Sequence, residues 1–168
     1  MRVLSHGLSR RYRGALDHVT EIADAAAALV EQHTGDRIGP ADLAVTNTAG
    51  VTEVIVTEHQ ALFGVSDPSL WRARGRYGAT TLTRRGVLVV INAEECRGRT
   101  TEITKTVVHE LVHAAQYARP GRRAAILRHL RNNYGLEPMA AAEVRAANRQ
   151  IDTDEREAKR LERLAHNL

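Results

Sequence analysis

The stretch VLVVIN (residues 87–92), eight mostly polar residues, and then TEITKTVVHELVHAAQYA (residues 101–118) decide how this chain reads. VLVVIN is apolar without alternation, which predicts a strand buried on both faces. The following run has helical periodicity. Ile103, Val107, Leu111, Ala114, Ala115 and Ala118 fall on one stripe, and Thr106, His109, Glu110, His113, Gln116 and Tyr117 on the other side. A helix is thus expected to pack one face into a core and turn a chemically rich face elsewhere. Arg119-Pro120-Gly121 stops it.

Working outward, ATTLT precedes VLVVIN across Arg84-Arg85-Gly86, a hairpin signal. A helix is predicted over 12–33, ending before Gly35, and a short strand over 41–48. Residues 51–62 read as a helix between Gly50 and Gly64, although their β-branching also suits a strand. Beyond Gly121, helices are expected at 122–133 and 139–166, the second broken near 151–154. Nothing regular is assigned to the first eleven residues. The order implies one α+β domain, residues 1–168, with a small mixed sheet packed against helices.

Composition excludes several classes. Apolar residues are 43% and charged residues 26% of the 168, the balance of a globular rather than a disordered chain. The lone Cys96 rules out a disulfide framework and a Cys-based metal cluster. No apolar run reaches the roughly 20 residues that span a bilayer. With no apolar leader-like stretch at the start, the cytoplasm is the expected location and no membrane partner is expected. Of the 24 basic residues 22 are Arg, read as a coding habit. Two acid-free stretches, 70–92 and 118–136, each hold five arginines, which leaves a nucleic-acid partner possible without any nucleic-acid motif.

His109-Glu110-Leu111-Val112-His113 is H-E-x-x-H. Residues four apart share a helix face, so both imidazoles can close on one metal ion, Zn²⁺ by ligand type. Glu110 beside them can take a proton from an attacking water and deliver it to a leaving amine. A third ligand is required, and His129, Glu143, Asp154, Glu155 and Glu157 are the candidates. On the apolar face formed by Ile151, Ala158, Leu161, Leu164, Ala165 and Leu168, Asp154 lies near the centre and Glu157 nearer than Glu155. Tyr117, Tyr134, His129 or an arginine could donate to an oxyanion, with Tyr134 in the loop-like NNYG preferred. His6, His18, His33, His59 and His166 read as surface residues, Trp71 as a core or lid anchor, and Cys96 as incidental.

This strand–helix order with H-E-x-x-H resembles the zincin metallopeptidases, and HELVHAAQ is similar to a HEL-x-H-x-x-Q helix of bacterial predicted metallopeptidases, with Gln116 matching. Arg119 stands where metzincins carry their third histidine, which excludes that subclass. Residues 155–161 (EREAKRL) resemble the E-x-x-A-[ND]-x-[FL] helix of gluzincin-like families, including the ImmA/IrrE-type and CAAX-prenyl-type peptidases. That resemblance implies Glu155 as third ligand beside His109 and His113, with Ala158 and Leu161 matching and Lys159 departing from Asn or Asp. It further implies a zincin-like fold with the motif on a central helix, a peptide or protein substrate, and VLVVIN at the cleft holding that substrate as an added strand. The competing expectations are a basic nucleic-acid- or protein-binding module with a structural or fortuitous metal site, and a catalytically silent zincin.

Overall fold

The computed structural model describes residues 1–71 and 73–168. Its elements are β1 (Arg2–His6), α1 (Arg13–Thr34), β2 (Ala41–Thr46), α2 (Thr48–Phe63), β3 (Gly78–Leu82), β4 (Val87–Asn92), α3 (Thr100–Ala118), α4 (Arg122–Asn133) and α5 (Ala141–Leu161), with short 3₁₀ segments between or after them, the last over Glu162–Asn167. The chain is a mixed helix-and-sheet protein with one small sheet, as the element order implies.

The four strands lie in the order β1-β2-β4-β3. β1, β2 and β4 are parallel, and β3 runs antiparallel to β4 at one edge. β4 is buried along its whole length because helices cover both faces. Val87, Val89 and Ile91 enter the larger core with Leu43, Val45, α1 and α3, while Leu88 and Val90 meet Val51 and Ile55 of α2. Ala158, Leu161 and Leu164 close the larger core from the C-terminal side. This alternation explains an apolar run with no period of two.

Local chemistry sets the boundaries. The Asn47 side chain accepts from the Gly50 backbone N–H at 2.8 Å and starts α2, which settles 51–62 as helix. α3 stops where Arg119, preceding a proline, takes an extended ψ of 147°. Gly121 at φ 76° then re-aims the chain into α4.

Three expectations are corrected. β1 forms from a segment without apolar periodicity, since an edge strand mostly exposed to solvent needs little of it. α5 runs unbroken through 151–154, because polar residues without Gly or Pro do not interrupt backbone bonding. β4 has partners on both sides and cannot accept an added strand; the strand with an open edge beside α3 is β3.

Candidate metal centre

α3 is buried almost all round, between the sheet and α5. Its polar side faces a cavity of about 830 Å³ rather than open water. His109, Glu110 and His113 line that cavity with Glu155 from α5. The two imidazole Nε2 atoms are 3.2 Å apart. Glu155 Oε2 lies 3.5 Å from His109 Nε2, and Oε1 lies 3.3 Å from His113 Nε2. Donors bound tetrahedrally at about 2.0–2.1 Å stand about 3.4 Å from one another. Glu155 meets the two imidazoles through different oxygens, so the three side chains are close enough to share one small cation, and they form the one such group among the described residues.

Both ligand imidazoles are held from behind. Glu162 Oε1 is 3.1 Å from His109 Nδ1, and Lys159 Nζ donates to Glu162 Oε2 at 2.9 Å. Lys159 thus supports the site through a carboxylate one turn on. Gln116 Oε1 is 2.8 Å from His113 Nδ1. With each Nδ1 engaged, each Nε2 faces Glu155 and the other imidazole, the side from which a cation could be held.

Glu110 is buried, and the single Thr80 hydroxyl proton is shared between its Oε2 at 2.8 Å and its backbone carbonyl at 3.0 Å. Burial pushes its carboxyl above the ordinary range, against the pull of the two histidines. Gly78 makes room for it, since a Cβ there would stand 2.8 Å from Glu110 Cγ and 2.7 Å from Thr106 Cγ2. Burial works against charge on His109 and His113, yet bonding to Glu155 and the nearby Glu110 charge leave both raised. Glu155 is held well below the usual carboxylate range by its bonds to His109 and His113.

The other third-ligand candidates are committed elsewhere. Asp154 is the inward acid that periodicity favoured, but it pairs with Arg122 and accepts from Gln150 at 3.0 Å. Glu157 accepts from Gln116 and Arg119, each at 2.9 Å. Glu143 pairs with Arg128 at 2.8 Å, and His129 lines the cavity from α4, outside the three-residue group.

Tyr134 does not reach the centre. Its hydroxyl is 2.8 Å from His59 Nδ1, and it borders a separate cleft with Trp71 and Leu130. A turn at the end of α4 points it toward α2 instead, so the preference for Tyr134 as oxyanion donor is corrected. Of the alternatives, Tyr117 and His129 do line the cavity. His59 is not a surface residue either: it is fully buried, with Nε2 2.8 Å from the Thr81 hydroxyl.

Glu162, Thr80 and Gly78 are the site residues that sequence reasoning missed. Glu162 lies seven residues after Glu155, a same-face spacing that could have exposed it. Thr80 and Gly78 carry no local signal, because only the sheet register brings them to α3.

The arginines of 118–136 are engaged inside the chain. Arg119 binds Asp36 and Glu157, Arg122 binds Asp154, Arg123 donates to backbone carbonyls of the β3–β4 turn, and Arg128 and Arg131 face Glu143 and Glu137. Arg128 and Arg131 remain about half exposed. No helix among the described residues is long and apolar enough to cross a membrane. No family model, curated protein or solved structure matches this chain.

Proposed function

We propose that this chain is a zinc-dependent metallopeptidase of the zincin type that hydrolyses peptide bonds of a peptide or protein substrate in the cytoplasm. One observation carries the reading: two Nε2 atoms and a carboxylate stand 3.2–3.5 Å apart beside a buried glutamate. Three protein ligands rather than four is the pattern of a catalytic zinc site with an open position.

Zn²⁺ held there supplies Lewis acidity toward the scissile carbonyl and an attacking water. The chain's residues do the rest. Glu110, buried beside the two histidines, takes the proton of that water and passes it to the leaving amine. Thr80 fixes which Glu110 oxygen is engaged and leaves Oε1 for the proton.

The substrate track follows from β3. Asn92 N–H donates to Tyr77 C=O at 2.8 Å and Thr83 N–H to Gly86 C=O at 2.9 Å. Alternation along an antiparallel pair then turns the N–H and C=O groups of Gly78 and Thr80 outward, toward the cavity. An extended peptide pairs there by strand addition. Opposite, Ile126 and Leu130 of α4, Ile151 of α5, and Leu70 and Trp71 present apolar surface, and Ile151 is 42% exposed. Apolar side chains near the cut bond fit that wall. For the oxyanion, Tyr117 already donates to the Thr80 carbonyl at 3.3 Å, whereas His129 has a buried Nδ1 with no partner and is the uncommitted imidazole of the wall.

The test compares zinc-loaded wild type with Glu110→Gln on a broad peptide library read by mass spectrometry. Cleavage by wild type and a loss of at least about 100-fold in the variant are expected. Equal cleavage by both removes Glu110 from the mechanism, and no cleavage by wild type removes the peptidase reading.

A further inference from the structure

Behind His113 the polar contacts continue well past the imidazole. Gln116 is fully buried. Its Nε2 lies 2.9 Å from the Asp154 backbone carbonyl and 2.9 Å from Glu157 Oε2. Glu157 is gripped by Arg119 at 2.9 Å, and Arg119 Nε donates to Asp36 Oδ2 at 2.7 Å. The chain of contacts starts in the α1–β2 connection, passes through the end of α3 and one face of α5, and ends on a metal-facing histidine.

We propose that Glu157 and Arg119 are positioning residues that act through Gln116 to dictate which nitrogen His113 turns toward the cation. This rests on the metal-centre reading but not on peptide hydrolysis. A glutamine amide has an accepting end and a donating end. A carbonyl and a carboxylate oxygen can only accept, so the NH₂ end must face Asp154 and Glu157. The Gln116 oxygen must then face His113, whose Nδ1 must carry the proton. The Nε2 lone pair is thereby left toward His109 Nε2 and Glu155. A flipped amide would set its oxygen against two oxygens and would select the tautomer whose Nε2–H blocks metal binding. Glu157 supplies one of the two acceptors that forbid the flip. Arg119 holds that acceptor in place and Asp36 holds Arg119. The residue at the position where metzincins place a ligand here works behind a ligand instead.

The test is zinc affinity of the full chain, measured by competition with a chromophoric chelator, for Gln116→Leu, Glu157→Gln and the double variant. Thermal unfolding without metal checks that each is folded. Gln116→Leu is expected to bind zinc about 10–100-fold more weakly. Glu157→Gln, isosteric and at a partly exposed position, is expected to weaken binding several-fold. The double variant is expected to bind no worse than Gln116→Leu alone, because the Glu157 side chain bonds Gln116 and Arg119 rather than any of the three metal-facing side chains. A slowly exchanging Nδ1–H of His113, seen by ¹⁵N NMR in the zinc-loaded wild type, should be lost in Gln116→Leu. Wild-type affinity in both folded single variants overturns the proposal, as does full additivity in the double. Wild type that binds no zinc overturns the metal centre itself, whereas a zinc protein with unaffected variants loses only the relay.

Discussion

Glu110 needs a neighbour without a side chain. Gly78→Ala would press a methyl group onto Glu110 Cγ and Thr106 Cγ2. Zinc content should be retained, peptide cleavage should fall at least tenfold, and stability should drop by about 1–3 kcal/mol, measured by urea unfolding. His59 gives a second residue-scale outcome. Burial pushes it down to about 4, and its partners are the hydroxyls of Tyr134 and Thr81. Between pH 6.5 and 4 the unfolded chain carries a proton there that the folded chain lacks. Its contribution is therefore level above pH 6.5 and falls on acidification, by about 3 kcal/mol at pH 4. His59→Gln should flatten that part of the stability–pH curve relative to wild type. At this scale the motif spoke clearly: H-E-x-x-H named His109, Glu110 and His113, and a weaker resemblance named Glu155. Periodicity alone favoured Asp154, and it was right about the burial. It could not know that Arg122 takes that carboxylate while Glu155, on the more exposed flank, reaches the imidazoles.

α4 and α5 are attached unequally. α4 has no buried residue, and α5 buries only Asp154, Ala158 and Leu161. Ile126 and Leu127 of α4 pack only partly against the larger core, and Ile151 of α5 is 42% exposed beside the cavity. Ile151, one turn before Glu155, is the sharpest probe of that wall. Ile151→Asp should leave zinc affinity near wild type but lower kcat/KM at least tenfold for peptides with bulky apolar residues at the cut, measured against polar-flanked peptides in the same library. Helices were readable because their apolar residues recur every three or four positions. The edge strand β1 was not, because five residues with one half-buried side chain carry no such rhythm. The expected break in α5 shows the same limit: the polar run 152–154, with only Asp154 turned inward, looks like a loop when only hydrophobicity is counted.

At the scale of the whole molecule, the candidate metal centre joins α3, buried almost all round, to α5, which enters the core only near its C-terminal end. Zinc at about 100 times its dissociation constant should stabilise the fold by about 2.7 kcal/mol and raise the melting temperature by roughly 5–10 °C. Hydrogen exchange should slow most along residues 141–161, and chelation should reverse both effects. The topology behind this is not legible in the sequence. An order of β1-β2-β4-β3 depends on which strands meet across long separations, and the cleft position that the zincin resemblance implies for VLVVIN falls beside β3 instead. The most direct measurement is zinc per chain, by elemental analysis after dialysis, in wild type, His113→Ala and Glu155→Ala. One zinc per wild-type chain and little or none in either variant is expected; zinc-free wild type, or full occupancy without Glu155, would contradict the account.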